Sequence, residues 1–247
     1  MGKSILITGA SSGIGKALAF ELAQRGYSLA LTARRTDQLE QIRNEIKRQS
    51  PSQAVEIRTL DVTDYESIPS VLKELADALN GLDIVFANAG IGLRGKIGQG
   101  QFENAKRTVE TNLIGAMATV DAAVAYFKDK GKGHIVGTSS ISAFRGMPGN
   151  SAYCASKAGF STYLEALRAE VYRENIEVTV LHPGFIDTPL NNMLHNRPFV
   201  IPVEKGAAII ARLIEKKVKS STVPAFPWNV IGVLLKLLPT NIIAKMS

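Results

Sequence analysis

The chain has 247 residues, 45% of them hydrophobic and 21% charged, enough apolar material for one large α/β core or two small ones and too much for disorder or a fibrous repeat. A formal net charge of +7 permits an anionic partner, but the basic residues are spread along the chain without a nucleic-acid motif or an aromatic array, so nucleic acid is not expected to be one. The single cysteine, Cys154, excludes an internal disulfide and a multi-cysteine metal cluster and reads as a small buried thiol on a helix.

Met1-Gly-Lys-Ser carries no secretory signal, and no apolar run approaches the ~20 residues of a membrane span, so a cytoplasmic protein is expected. Ser4 to Thr8 reads as a strand, a glycine loop follows, and Ile14 to Arg25 shows helical spacing through Ile14, Leu18 and Leu22. The alternation continues with a strand from Ser28 to Ala33, a helix from Asp37 to Arg48, a strand from Val55 to Leu60 and a helix from Tyr65 to Leu79. Asp83 to Ala87 is a fourth strand. After a glycine-rich stretch from Gly90 to Gly100, expected to be mobile, a long helical pattern runs from Glu103 to Phe127. Gly133 to Thr138 is the fifth strand, Ser151 to Arg173 a helix, Val178 to Leu181 the sixth strand, and Val203 to Lys217 another helix. Strands alternating with helices predict an α/β fold, a doubly wound parallel sheet with helices on both faces. No linker or repeat divides the chain, so residues 1–247 are read as one Rossmann-like domain with an apolar tail from about 224.

Three stretches carry chemistry. In Gly9-Ala-Ser-Ser-Gly13-Ile-Gly15, glycines after a strand let backbone amides approach a pyrophosphate at a helix N-terminus, where the dipole favours anions. The spacing is not that of G-x-G-x-x-G, and Gly15-Lys16-Ala17 lacks the spacing and the Ser/Thr of a Walker A loop. At the end of the second strand, Ala33-Arg34-Arg35 offers two guanidiniums where an acid would bind a free ribose 2′-hydroxyl, which favours NADP(H) over NAD. From Ser139 to Lys157 a hydroxyl, a phenol and an ammonium come together. Tyr153 and Lys157 are four apart on a helix, so they share a face, and an ammonium beside a phenol of usual pKa about 10 lowers that value. Such a tyrosine can shuttle a proton.

With Thr8-Gly-Ala-Ser-Ser-Gly-Ile-Gly15, Asn88-Ala-Gly90, Asn112, Ser140, Tyr153-x-x-x-Lys157 and Pro183-Gly184 followed by Thr188, the chain resembles the short-chain dehydrogenase/reductase family from about residue 3 to 215. The resemblance implies that Gly9, Ser11, Ser12, Gly13, Ile14 and Gly15 cradle the pyrophosphate and that Asp61 and Val62 flank the adenine. Asn88, Ala89 and Gly90 would line the cofactor cleft with Pro183 and Gly184, while Ile186 and Thr188 hold the carboxamide. Tyr153 would supply the proton, Lys157 would lower its pKa and hold the nicotinamide ribose, Ser140 would hydrogen-bond the substrate oxygen, and Asn112 would fix a water in the relay. Ser139 competes for the serine role; Ser140 is preferred because the family's serine stands thirteen positions before its tyrosine. Ala87 departs from the family, many members of which have a second asparagine there.

The reading that follows is an NADP-dependent oxidoreductase acting on a small-molecule carbonyl or secondary alcohol, as a homodimer or homotetramer. Met147, Phe185, Leu190 and Met193 are candidates for an apolar pocket suited to a lipid-like or aromatic ketone, closed by the segment from Thr188 to Pro202. The alternative is a catalytically idle NADP-sensing or scaffold protein on the same fold, against which intact Ser140, Tyr153 and Lys157 argue. His134, His182 and His195 are scattered, and no metal is assigned. In the tail, Val230 to Leu238 is apolar almost all round as a helix, so it must be buried. Packing on the pocket or on a second subunit is preferred over peripheral membrane contact, in which Trp228 would sit at the headgroup level and Lys216, Lys217, Lys219, Lys236 and Lys245 would meet anionic lipid.

Overall fold

The computed structural model describes residues 3–192, 194 and 196–245. Seven parallel strands form one sheet in the order 3-2-1-4-5-6-7: β1 (Ser4–Thr8), β2 (Ser28–Ala33), β3 (Val55–Thr59), β4 (Ile84–Ala87), β5 (Gly133–Thr138), β6 (Ile176–Pro183) and β7 (Ser220–Val223). β1 pairs with β2 on one side and β4 on the other, so the winding reverses there and a crevice opens beyond the carboxyl ends of the two strands. β1 is buried along its whole length, which is why it reads as a continuous apolar run rather than an alternating one.

Helices α1 (Gly13–Gln24), α2 (Thr36–Gln49) and α7 (Val203–Glu215) cover one face and share a core of Ile7, Leu18, Leu22, Leu31, Ile42 and Ile210. On the other face α3 (Ser67–Ala78), α5 (Gly115–Lys130) and α6 (Ser151–Glu170) bury Leu6, Leu75, Val120, Phe127, Phe160 and Leu164. All of these elements are built on one sheet, so the chain is a single Rossmann-like domain. No described helix is long and apolar enough to cross a membrane.

The elements differ from the sequence pattern in four places. The helix expected from Glu103 to Phe127 is α4 (Phe102–Val109), a π-helical turn (Glu110–Ile114) and then α5. β6 is longer than expected at both ends. β7 carried no signal, because Ser-Ser-Thr-Val has neither an apolar run nor a full alternation, yet Thr222 and Val223 are buried beside β6. The tail folds as α8 (Trp228–Leu237) and the short α9 (Thr240–Ile243).

Helix α6 fixes the register of the chemistry. Its core-facing stripe runs Lys157, Phe160, Leu164, Leu167, at intervals of three and four, and the half-buried Tyr153 stands on the same face one turn before Lys157. The polar pair is therefore the first turn of the same stripe that carries the apolar residues into the core. Gly137 on β5 lets this helix sit close: a Cβ there would come within 2.2 Å of Leu164 Cδ1 and 2.8 Å of Phe160 Cε1. Gly137→Ala should destabilise the fold by about 1–3 kcal/mol through overpacking, read as a lower urea midpoint; an unchanged midpoint would show that α6 does not rest on the sheet at this point.

Candidate active site

The loop between β1 and α1 is built so that backbone, not side chains, lines the crevice. Gly9 and Gly13 have φ of +68° and +56°, which L side chains disfavour. A Cβ on Gly15 would stand 2.6 Å from the Gly9 carbonyl oxygen and 2.8 Å from Asn88 Nδ2. Asn88 holds the rim together: its Nδ2 donates to the Thr8 carbonyl at 3.0 Å, its Oδ1 accepts from Thr138 Oγ1 at 3.3 Å, and its backbone N–H donates to Thr8 Oγ1 at 3.0 Å. Three strand ends are joined through one carboxamide.

The crevice is a cleft of about 510 Å³ lined from one end to the other by residues singled out in the sequence. Arg34, Arg35, Asp61 and Val62 stand at one end, with Gly9, Ser11, Ser12, Gly13, Ile14, Asn88, Ala89 and Gly90 along the middle and Ser140, Tyr153, Lys157, Pro183, Gly184, Ile186 and Thr188 at the other, while Gly15 and Asn112 lie behind the lining. The Arg35 guanidinium lies over the loop, with Nη2 donating to Ser11 Oγ at 3.0 Å and Ser12 Oγ at 2.9 Å. Arg34 Nη1 stands 3.7 Å from Asp61 Oδ2, and both groups are largely exposed, so the pair contributes little to stability. A groove with glycine backbone in its floor and guanidiniums at one end fits an elongated, phosphorylated ligand.

Two serines in sequence do different work. Ser139 Oγ lies 3.0 Å from the Lys157 carbonyl and 2.7 Å from Ser161 Oγ, so it ties β5 to α6. The Ser140 hydroxyl accepts from the Ser142 N–H at 3.1 Å, which leaves its proton to be donated, and it stands beside the Tyr153 phenol. Burial holds the Tyr153 pKa above its usual value, and the neighbouring Ser140 hydroxyl works against that rise. The ammonium expected to lower it is 5.9 Å from the ring centroid, and its proton goes elsewhere: Lys157 Nζ donates to the Thr138 carbonyl at 2.8 Å. Lys157 is only 3% exposed, and burial lowers its pKa to about 8.

Asn112 is fully buried in the π-helical turn. Its Oδ1 accepts from the Ile91 N–H and its Nδ2 donates to the Ile91 carbonyl, both at 2.8 Å. The carboxamide thus pins the chain after β4, and Asn112 Oδ1 and Lys157 Nζ both lie against Gly90.

A family model for short chain dehydrogenases matches residues 3–198. The chain belongs to the short-chain dehydrogenase family. It is 37% identical over 246 residues to an uncharacterized oxidoreductase of Mycobacterium tuberculosis, covering 99% of this chain and 97% of that one. Among solved structures, an alcohol dehydrogenase from the archaeon Thermococcus sibiricus, complexed with 5-hydroxy-NADP, has a TM-score of 0.80 at 30% identity and covers 90% of this chain and 96% of its own. A family member from Burkholderia phymatum in complex with NAD shares the fold, with a TM-score of 0.85 at 19% identity over 98% of this chain and 95% of that one. This short-chain dehydrogenase is therefore an oxidoreductase of a fold that takes a nicotinamide cofactor.

The apolar candidates separate. Leu190 lines the cleft and lies against Gly92. Phe185 instead packs edge-on against Trp228, with centroids 5.7 Å apart, and Met147 is absent from the lining. Met193 lies outside the described residues, as does His195. His134 and His182 are buried and satisfied, the first by Thr179 Oγ1 at 2.9 Å, the second by the Ser140 carbonyl at 3.4 Å and by the Phe144 ring at 4.8 Å. Burial brings the His134 pKa down to about 4. Sequence reasoning missed Thr138, whose signal was only its position ending β5 before the two serines. Gly15→Ala should distort the loop and weaken nucleotide binding at least ~tenfold, about 1.4 kcal/mol, measured by titration calorimetry at a temperature where the variant is still folded; unaltered affinity would mean that the loop is not the phosphate cradle.

Proposed function

We propose that the protein is an NADP-dependent carbonyl reductase, reversible as an alcohol dehydrogenase, with Tyr153 as general acid. The observation that carries the proposal is the meeting of Ser140, Tyr153 and Lys157 at one end of a cleft whose other end holds Arg34 and Arg35. Gly9, Ser11, Ser12, Gly13, Ile14 and Gly15 would hold the pyrophosphate, Arg34 and Arg35 the 2′-phosphate, Asp61 and Val62 the adenine. Asn88, Ala89, Gly90, Pro183, Gly184, Ile186 and Thr188 would bound the nicotinamide half. When bound, the nicotinamide supplies the hydride. The 5-hydroxy-NADP complex of the Thermococcus sibiricus relative supports the phosphorylated cofactor.

The residues then act as follows. Ser140 donates a hydrogen bond to the substrate's carbonyl oxygen and stabilises its growing negative charge. Tyr153, kept protonated by burial, gives its proton to that oxygen. The Lys157 ammonium stabilises the phenolate left behind. Asn112 fixes the chain at Ile91 and so positions Gly90 beside Lys157.

Tyr153→Phe should lower turnover at least ~100-fold while NADPH binding stays within about a factor of two; wild-type turnover in this variant would exclude Tyr153 as the acid. Arg34→Ala should remove a charge-assisted contact of roughly 1.5–3 kcal/mol, so NADPH affinity falls about tenfold or more while NADH affinity changes little. Equal weakening of both cofactors would remove the arginines from cofactor choice. The pH dependence has a definite sign. Lys157 carries its charge below about 8 and loses it above, whereas Tyr153, its pKa raised, stays protonated across that range. Reductive kcat/KM should therefore fall as pH rises through about 8, and Lys157→Met should lack this limb; a flat profile through that range in the wild type would contradict the assignment.

A further inference from the structure

The tail divides into two faces. Its inner face is packed: Trp228 is buried against Gly184, where a Cβ would stand 2.1 Å from the indole Nε1, and Gly232 is buried against the Phe144 ring. Phe199 meets the indole edge-on at 6.0 Å, Ile243 is buried, and Arg145 Nη2 donates to the Leu238 carbonyl at 3.0 Å. α8 is held by these contacts and cannot roll its other side inward. That other side is Val230, Val233, Leu234 and Leu237, spaced i, i+3, i+4, i+7 and so on one stripe. The four are 49%, 61%, 53% and 75% exposed, and Phe226 before the helix and Ile242 after it are exposed too.

Charge decides what can cover this stripe. From Lys216 to Ser247 the chain has five lysines and no Asp or Glu. Lys217 reaches Glu177 at 3.6 Å, while Lys236, on the same helix as the stripe, rests over the Phe144 ring at 5.1 Å. A second copy docked symmetrically would bring together two segments of the same positive sign, with no acid in either to offset the repulsion. A surface that is apolar beneath and negatively charged above answers both features at once.

We propose that the outer face of α8 and α9 docks on an anionic lipid bilayer. The four stripe residues, with Phe226 and Ile242, enter the boundary between headgroups and acyl chains, and the exposed lysines not engaged within the protein, Lys216, Lys219 and Lys245, meet the headgroups. Trp228 takes no part in lipid contact, since it is spent on Gly184.

The test is co-sedimentation of the full chain with vesicles of phosphatidylglycerol mixed with phosphatidylcholine and with vesicles of phosphatidylcholine alone, at low and raised salt. The expected result is sedimentation with the anionic vesicles, weakened by salt, and little with the neutral ones. The double variant Val233→Gln, Leu237→Gln should lose at least ~tenfold in vesicle affinity with an unchanged thermal midpoint. Its emission from Trp228, the only tryptophan, should also be unchanged, which shows the tail still packed. Failure of the wild type to sediment with the anionic vesicles, or equal binding by the variant, overturns the proposal. So does light scattering in which the wild type is an oligomer that the variant splits, because that assigns the stripe to a second copy.

Discussion

The hydrogen bond from Lys157 Nζ to the Thr138 carbonyl is the constraint around which the site is arranged. An ammonium that is 97% removed from solvent is costly unless something satisfies it. Here the end of β5 supplies an acceptor, and burial brings the group's pKa to about 8 rather than forcing it neutral at physiological pH. The bond also sets the distance between α6 and the sheet edge. Because Lys157 belongs to the stripe that continues through Phe160 and Leu164, the apolar packing of the helix and the placement of the charge are one event. The same edge carries Ser140 two residues past Thr138, so fixing α6 against β5 fixes the phenol beside the serine hydroxyl.

The fold was legible wherever burial follows periodicity. β1, β2, β4 and β5 are buried along nearly all their length and stand out as apolar runs between glycine loops. Their helices repeat every three to four residues. What was not legible depended on neighbours far along the chain. β7 exists because β6 offers it a ladder, and Ser220 and Ser221 give no sign of that. The π-helical turn at Glu110–Ile114 interrupts what reads as one continuous helix; Asn112 within it bonds the backbone at Ile91 in both directions, a partner twenty-one positions upstream. π-helical turns of this kind are often found at functional sites.

Among the residues that line the cleft, the glycines, the arginines and the Tyr-x-x-x-Lys pair stand out in the sequence because backbone freedom, a fixed guanidinium charge and a phenol four residues before an ammonium are offered by few residue types. The separation of Ser139 from Ser140 did not follow from residue type, since both are buried serines at the same strand end. Only the partners tell them apart: Lys157 and Ser161 for the first, Ser142 and the Tyr153 phenol for the second. The Tyr153 pKa is raised rather than lowered, because burial acts on the phenol and the sequence displays only the ammonium four residues on. The tail is apolar almost all round in composition, but the backbone turns one half onto Gly184 and Phe144 and the other half outward.

The central claim is that the cleft transfers a hydride to a carbonyl rather than merely holding a nucleotide. Incubating the full chain with NADPH deuterated at the transferable position of the nicotinamide and a panel of apolar ketones and aldehydes, followed by mass spectrometry of the products, tests it directly. The expected product is an alcohol carrying one deuterium on the carbinol carbon. NADPH bound tightly by the protein with no deuterium reaching any carbonyl in the panel would contradict it, and would make the chain a nucleotide-binding protein that has kept the site without the reaction.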